Sequence, residues 1–285
     1  MRLARIILTI CFVIAAAAYG FTEVKDRVFT DHTSPVITAD TDELTVSITA
    51  SEEDLMAGLT ASDDKDGDVT DSIVVTGVSD FITGHTFKVT YAAFDAAGNV
   101  GTYTREAVYS DYTSPRFSSE KPFIYTTGST SSDGMTGITV IDCIDGDISG
   151  RIKGVVTSYD DYYLEPVTLS VTNSSGDEIT ADIMVQYMES EDISDIRPYM
   201  DSYIIYCTAG SSVNVKSHII GVWSNNAGRT FEEVDYRYST DDMTVDTSGV
   251  DYSMPGSYIV KITMNPTEET PDTGDAYITI VVLEG

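Results

Sequence analysis

The chain repeats itself with a period of about eighty residues. Three landmarks return in the same order at offsets of 80, 79 and 78 positions: residues 31–35 as 111–115, residues 63–70 as 142–149, and residues 95–99 as 173–177. Solenoid repeats are only about 20–50 residues long, whereas this period fits a small independent domain. The sequence therefore predicts a tandem array of similar domains.

Alternating polar and apolar residues mark four segments of this array: 45–49, 87–91, 167–171 and 258–262. A period of two is typical of half-buried strands, and the abundant Thr, Val, Ile and Tyr fit a pleated surface. Asp-Gly and Gly-Asn pairs between the runs predict turns, and residues 52–59 offer at most one or two helical turns. We expect an all-β chain of tandem antiparallel β-sandwiches after an N-terminal hydrophobic helix.

The repeated segments also resemble a known family. Residues 58–70, 74–78, 89–91 and 94–99 are similar to the Ig-like module of bacterial surface proteins, which also occurs in a pesticidal crystal protein and is close to cadherin-like and hyalin repeats. The second copy keeps the Asp-Gly-Asp turn, and in the third residues 225–228 stand in for it. The resemblance implies Ig-like sandwiches serving as an extracellular spacer, stalk or adhesive module, with no catalytic residues to transfer.

The landmarks divide the chain into a hydrophobic segment, a linker and three Ig-like domains. These are residues 1–25 (signal-anchor or signal peptide), 26–34 (linker), 35–110 (first module), 111–190 (second module, diverged) and 191–285 (third module, diverged). The short joint at 111–114 ends before Pro115, which predicts a stiff pair of modules. The longer acidic joint at 189–196 predicts a third module that moves freely.

The N-terminal segment predicts export from the cytoplasm. Arg2 and Arg5 precede the uncharged apolar residues 6–21, a pattern shared by secretory signals and signal-anchors. A retained anchor would give a single-pass membrane protein with its N-terminus in the cytoplasm, whereas cleavage after Ala18 would give a secreted one. Both alternatives place the modules outside the cytoplasm. Cys143 and Cys207 fall in different modules, so no module is expected to hold an internal disulfide.

The charge excludes one class of partner. The formal net charge is −30, and a surface so acidic repels phosphate backbones, so we expect no nucleic-acid binding.

The three histidines and the scattered serines of the chain form no recognisable nucleophile elbow or zinc motif, so we expect no enzyme. The predicted function is a non-enzymatic stalk or adhesion module at the bacterial cell surface, with a protein or glycan partner. A carbohydrate-binding or calcium-dependent adhesive protein with specificity in the second and third modules is the alternative.

The repeated acidic turn has two interpretations. Carboxylates recur at i, i+3 and i+5 around a glycine, as Asp63, Asp66 and Asp68 and again as Asp142, Asp145 and Asp147. As a structural turn, Asp-Gly takes a positive φ and the outer carboxylates cap backbone amides. As a metal site, the same oxygens would bind calcium, although the spacing departs from the EF-hand order. No other cofactor is indicated, and Asp31 and Asp111 are weaker candidate ligands at the module joints.

One aromatic cluster is a candidate binding surface. Tyr159, Tyr162 and Tyr163 lie between two predicted strands of the second module, at an expected hairpin tip. Tyrosine is favoured at interfaces because it combines a large ring with a polar tip. Exposed tyrosines at such a tip would form a binding surface, whereas tyrosines within strands would only have one solvated edge.

Overall fold

Most of the described chain is β-strand. The computed structural model describes residues 10–21, 31–189, 196–224, 227–233, 238–268 and 274–285. Residues 10–21 form helix α1, and within these described ranges no helix combines the length and apolarity that crossing a bilayer requires. Residues 1–9, and residues 22–30 with much of the predicted linker, lie outside the described part of the chain.

Seven strands and one short helix build the first module: β1 (Val36–Ala39), β2 (Glu43–Val46), α2 (Glu52–Leu55), β3 (Leu59–Asp63), β4 (Gly67–Asp68), β5 (Val74–Val78), β6 (Thr86–Phe94) and β7 (Val100–Tyr109). They form a three-stranded sheet in the order β1-β3-β4 and a four-stranded sheet in the order β2-β7-β6-β5. Buried side chains from both sheets meet in one core. Two sheets facing a common core make a β-sandwich.

The second module has the same elements: β8 (Arg116–Ser118), β9 (Ile124–Thr126), α3 (Ser131–Gly134), β10 (Thr139–Asp142), β11 (Gly146–Asp147), β12 (Lys153–Val156), β13 (Leu164–Thr172) and β14 (Glu178–Met188). The third has β15 (Arg197–Met200), β16 (Ile204–Thr208), β17 (Ile219–Ser224), β18 (Ala227–Thr230), β19 (Met243–Asp246), β20 (Gly256–Met264) and β21 (Asp275–Leu283). The strand orders β8-β10-β11 with β9-β14-β13-β12, and β15-β17-β18 with β16-β21-β20-β19, repeat the first module. The fold is therefore three tandem β-sandwiches of one topology.

Each sandwich contains one parallel strand pair, which departs from the wholly antiparallel prediction. β2 pairs parallel with β7, β9 with β14, and β16 with β21. The chain crosses from the three-stranded sheet to the edge of the four-stranded sheet, where it meets the last strand of its own module. The remaining ladders are antiparallel.

The predicted alternation produces the core at three of the four segments. Phe87, Val89 and Tyr91 of β6 are buried in the first module, and β13 buries alternate residues in the second. The segment 258–262 lies inside β20. The prediction for 45–49 is confirmed only for Thr45 and Val46, because β2 ends at Val46. Beyond Val46 the chain leaves the sheet, and the Ser47 hydroxyl (2.7 Å) and the Ile48 backbone N–H (2.8 Å) donate hydrogen bonds to the Asp111 carboxylate.

Two compact units divide the chain, Met1–Tyr112 and Thr113–Gly285. In the second unit one hydrophobic cluster contains residues of both the second and the third module. The Thr279 hydroxyl donates to the Asp182 carbonyl (2.6 Å), and the Phe117 N–H donates to the Tyr206 hydroxyl (2.8 Å).

The expectation of a freely moving third module is wrong, because this shared core and these bonds hold it to the second. The predicted stiffness of the 111–114 joint and the predicted bounds of the three domains stay predictions. Residues 190–195 of the acidic joint lie outside the described residues.

Candidate metal centre and aromatic surface

The acidic turn of the first module joins β3 to β4. Asp63 ends β3, and its Oδ1 accepts the backbone N–H groups of Lys65 (2.9 Å) and Asp66 (3.1 Å). Gly67 has φ of +77°, a backbone conformation that glycine adopts without steric strain. The turn thus forms as its sequence predicts, with one oxygen of Asp63 occupied by backbone donors.

Four carboxylates converge on this turn. Asp31 precedes β1, Asp63 and Asp66 belong to the turn, and Asp95 follows β6. One oxygen of each residue lies within 4.8 Å of those of the other three. Sequence positions more than sixty residues apart are therefore brought together where the two sheets of the sandwich end.

Two of the four residues each have a buried carboxylate oxygen that no described residue donates to. Asp31 and Asp63 are each only 9% exposed, and among the described residues nothing donates to either Oδ2 atom. Lys65 lies 3.6 Å from the other oxygen of Asp31, Oδ1. A buried carboxylate oxygen without a donor is unfavourable, so two such oxygens in a group of four acids favour a compensating positive charge.

The cluster is ionised at neutral pH at two of its members. Hydrogen bonds from the Thr33 backbone and hydroxyl hold the pKa of Asp31 below its ordinary value. Burial raises the pKa of Asp95, but hydrogen bonds from Asn99 and Gly98 outweigh it and leave the pKa below the ordinary value. Protonation therefore does not relieve the repulsion between these two carboxylates.

The donor set suits a hard divalent cation. Calcium takes oxygen ligands at about 2.3–2.6 Å, so two oxygens on one ion lie at most ~5 Å apart. The 4.8 Å limit on the spacing of the four carboxylates meets that requirement. Asp31, Asp63, Asp66 and Asp95 are accordingly the residues that could hold a metal.

Asp68 does not belong to this cluster, although the sequence grouped it with Asp63 and Asp66. Its carboxylate accepts the Thr70 N–H (3.0 Å), and hydrogen bonds from Thr70 lower its pKa. Asp147 of the second module does the same with Ser149 (2.9 Å). For these two positions the structure shows the capping role.

Sequence reasoning missed Asp95 as a candidate ligand and placed Asp31 at a joint between modules. The signal for Asp95 was its position in the third repeated landmark, where the second module has Asn173. That segment suggested only a turn, and the local bonds agree: Asn99 N–H and Nδ2 donate to Asp95 at 2.7 and 2.6 Å.

In the second module the same turn is satisfied by protein groups. Asp142 Oδ1 accepts the N–H groups of Ile144 (2.8 Å) and Asp145 (2.7 Å), as Asp63 does in the first module. Its other oxygen, Oδ2, accepts the Asn173 side-chain amide at 3.0 Å. The Asn173 amide thus gives Asp142 Oδ2 the hydrogen-bond donor that Asp63 Oδ2 lacks among the described residues.

Asp145 is compensated as well. Its carboxylate accepts the Ser174 N–H (2.7 Å) and hydroxyl (2.6 Å), and Arg151 lies 2.5 Å from Oδ2. The hydrogen bonds from Ser174 and the nearby arginine hold the pKa of Asp145 below its ordinary value. The sequence grouped Asp142, Asp145 and Asp147 as equivalent metal candidates, but here the first two have internal partners.

The predicted aromatic surface lies on the second module. Tyr159, Tyr162 and Tyr163 occupy the loop between β12 and β13 and are 80%, 71% and 49% exposed. The ring of Tyr162 contacts those of Tyr163 and Tyr187, with centroids 5.3 and 5.2 Å apart. Tyr125, paired with Tyr187 across β9 and β14, continues the cluster at 5.2 Å. Tyr159 has no ring contact with this group among the described pairs.

Carboxylates border this surface. The Tyr163 hydroxyl donates to Glu189 (3.2 Å), and the Tyr125 hydroxyl donates to Glu165 (2.6 Å). Burial and then the bond to Glu165 raise the pKa of Tyr125, and the hydrogen bond with Tyr187 raises that of Tyr162. Tyr125 and Tyr162 are therefore neutral at physiological pH, and the surface combines aromatic faces with hydrogen-bond acceptors.

Comparison with known proteins adds no family. No protein-family model matches the chain, and no curated protein matches it. Among solved structures, the CBM51-2 domain in complex with GlcNAc and INT domains from Clostridium perfringens ZmpB is similar at 19% identity and a TM-score of 0.22, over 57% of this chain and 31% of that one. This chain thus spans about a third of that structure.

Two further structures are similar at comparable levels. The lipoprotein BT2262 from Bacteroides thetaiotaomicron is 12% identical at a TM-score of 0.20, over 86% of this chain and 98% of that one. The protocadherin GammaB4 extracellular domain is 11% identical at a TM-score of 0.19, over 88% and 49%. At TM-scores this low the likenesses carry no argument about function.

Proposed function

We propose that this chain is a non-enzymatic, extracytoplasmic surface protein whose tandem sandwiches display a glycan-binding surface. The observation that carries the proposal is the tyrosine cluster of the second module, in which the exposed rings of Tyr162 and Tyr163 lie beside the half-buried rings of Tyr187 and Tyr125. Solvent-exposed aromatic rings held together in one patch are unusual on a protein without a partner. The resemblance to bacterial surface Ig-like modules supports the same role.

The ligand that best fits this surface is a neutral sugar. Tyrosine faces supply apolar contact area with a polar edge, and the carboxylates of Glu165 and Glu189 can accept sugar hydroxyls. The chain has a net charge of −30, which disfavours anionic glycans. A basic protein partner is the competing occupant, and a binding assay separates the two.

The purified full-length chain, applied in mild detergent to a panel of neutral and acidic glycans, tests this proposal. We expect binding to neutral glycans that weakens about tenfold, equivalent to 1.4 kcal/mol, in Tyr162→Ala and in Tyr163→Ala. Tyr162→Phe keeps the ring and should retain most of the affinity. Val155→Ala, at a residue that is 63% exposed in the same module, is the control for lost apolar surface.

Absence of glycan binding, or equal loss in Val155→Ala and Tyr162→Ala, would contradict the proposal. Binding only to polylysine or basic proteins would instead assign the surface to a protein partner. Circular dichroism of each variant shows whether the second module stays folded.

The location outside the cytoplasm is part of the proposal. Its support is the sequence of the N-terminal segment, where Arg2 and Arg5 precede the apolar residues 6–21. A retained anchor predicts that the protein remains with membranes after alkaline extraction. An intact mass starting at Tyr19 or Phe21, with the protein in the medium, would identify a cleaved signal. A cytoplasmic protein would contradict both alternatives.

A further inference from the structure

We infer that the first module binds one calcium ion through Asp31, Asp63, Asp66 and Asp95, and that the matching turn of the second module binds none. This cation site is distinct from the tyrosine surface in the other unit. Four carboxylates within 4.8 Å of one another supply the ligands. The buried Oδ2 atoms of Asp31 and Asp63, which no described residue donates to, are the independent sign that a ligand belongs there.

The second module shows what a cation would replace. At the position of Asp95 it has Asn173, whose amide donates to Asp142 at 3.0 Å. At the position of Ser72 it has Arg151, which lies 2.5 Å from Asp145. The amide donates a hydrogen bond and the guanidinium supplies a positive charge, so this turn needs no metal.

The first module lacks these groups at equivalent positions. It has a carboxylate, Asp95, where the second has the amide, and Ser72 where the second has the arginine. Ala96 replaces Ser174, so the hydroxyl that donates to Asp145 at 2.6 Å has no counterpart. Each difference removes a donor or adds a negative charge at the same site.

Lys65 compensates only part of this negative charge. Its ammonium lies 3.6 Å from Asp31 Oδ1, and its side chain is 44% exposed. It leaves both buried Oδ2 atoms without a donor. A small divalent ion in the cluster would contact several carboxylates at once, which a single exposed ammonium on a flexible stem does not.

Calcium is the metal that fits this chemistry. All four side chains offer hard oxygen, and no histidine or cysteine in the described part of the chain joins the group to favour zinc. Calcium accepts irregular arrangements of six to eight oxygens, so water and backbone carbonyls can complete the shell. Extracellular calcium modules bind at about 10⁻⁴–10⁻³ M, which suits a surface protein.

Binding would tie three parts of the first module together. Asp31 lies before β1, Asp63 and Asp66 lie in the β3–β4 turn, and Asp95 follows β6. The ion would therefore link the segment that enters the sandwich to the turn between β6 and β7. Calcium stabilises this module as any ligand does that binds only the folded state.

Isothermal titration calorimetry of the full-length chain in mild detergent, stripped with chelator and titrated with calcium chloride, tests this inference. We expect one ion per chain. The double substitution Asp95→Asn with Asn99→Asp should weaken binding at least tenfold, because it installs the pair found at Asn173 and Asp177. It leaves the net charge unchanged, so general electrostatic attraction is controlled.

Asp68→Asn is the matched control, because it removes an acid from the same turn outside the cluster. It should bind calcium within about twofold of the wild type, since Asp68 caps Thr70 instead. Thermal unfolding gives a second measurement: at a calcium concentration of 100 Kd the folded-to-unfolded ratio rises about 100-fold. In chelator the double-substituted chain should be at least as stable as the wild type, because a repelling carboxylate has left the site.

Absence of a stoichiometric heat, binding that survives the double substitution, or equal loss in Asp68→Asn would each overturn the inference. Heat with magnesium but not calcium would overturn the choice of metal. If the double-substituted chain is unfolded by circular dichroism, Asp66→Asn takes its place with the same expectation, because Asp66 is an exposed turn residue. Loss of glycan binding in the tyrosine variants is scored separately, so either proposal can fail alone.

Discussion

The first and second modules share a turn but balance its charge differently. In both, an aspartate at the end of a strand accepts two backbone N–H groups, and the glycine that follows has a positive φ. The second module then adds an amide and a guanidinium, whereas the first adds two more carboxylates. A backbone pattern can thus be repeated while the chemistry at its tip changes.

Their cores differ in a similar way. Arg105 of β7 is 3% exposed, and its guanidinium donates to the Tyr91 hydroxyl and to the carbonyls of Leu55 and Ala57. The strand pairing that places Arg105 opposite Val89 places Ile183 opposite Val167 in the second module. The polar network that fastens α2 to the first core is therefore replaced by apolar packing in the second.

The largest effect we expect comes from the apolar core of the second unit. Leu169→Ala at a fully buried site should destabilise by about 2–5 kcal/mol through lost burial and the cavity left behind. Because the second and third modules share one cluster, hydrogen exchange followed by mass spectrometry should show lost protection in both. Residues 31–112 should keep their protection. If protection in the third module is unchanged, the second and third modules do not form one cooperative unit.

Arg105→Met comes next and probes the polar core of the first unit. It removes charge-assisted hydrogen bonds worth about 1.5–3 kcal/mol and takes the guanidinium donor from the Ala57 carbonyl, whereas the Leu55 carbonyl keeps the Tyr91 hydroxyl as a donor (2.7 Å). We expect a loss of ~2–3 kcal/mol in urea unfolding. Ile183→Met is the control at the equivalent position, where a swap of similar volume costs less than about 1.5 kcal/mol. Equal losses would show that the two cores are not different in kind.

Neutralising the same turn position should have unequal effects in the two modules. Asp145→Asn breaks a pair with Arg151 and weakens the bonds from Ser174, so we expect a loss of about 1–2 kcal/mol in the second unit. Asp66→Asn in chelator removes a carboxylate from a cluster of four, so the first unit should lose less or gain stability. Thermal unfolding in chelator compares them, and equal losses would contradict the difference in charge balance.

The smallest effect is one that the modules should share. Hydrogen bonds from Thr70 and Ser149 lower the folded-state pKa of Asp68 and Asp147, so their stabilisation is present above the unfolded pKa of about 4 and is lost as pH falls through the folded pKa. Asp68→Asn and Asp147→Asn should therefore lower the urea midpoint at pH 7 and have little effect near about pH 2. If the substitutions lower the urea midpoint more at the acidic pH than at pH 7, these hydrogen bonds do not lower the two pKa values.

The repeat and the strand alternation could be predicted from sequence, because side-chain period and turn residues are local properties. The third module confirms this, since β17 and β18 pair Ser224 with Ala227 around the predicted turn. Asn225 and Asn226, which the prediction placed in that turn, lie outside the described residues. The parallel strand pairs could not be predicted, because alternation identifies the buried face of a strand but not the direction of its neighbour.

The cation cluster could be predicted only in part. Asp63 and Asp66 lie three residues apart in one turn, but Asp31 and Asp95 come close to them only through the packing of the two sheets. The shared core of the last two modules could not be predicted either, because it also depends on packing between distant segments. The acidic residues 189–196 suggested a solvated joint. Charge along a segment says little about what the modules on either side bury.

Anomalous diffraction from a crystal of this protein grown in terbium, a calcium substitute, would locate the cation. We predict one strong peak coordinated by Asp31, Asp63, Asp66 and Asp95, with the Asn173 amide still hydrogen-bonded to Asp142 at the second turn. A peak at Asp142 and Asp145, or a first turn in which the Lys65 ammonium contacts the buried oxygens and no terbium binds, would contradict it.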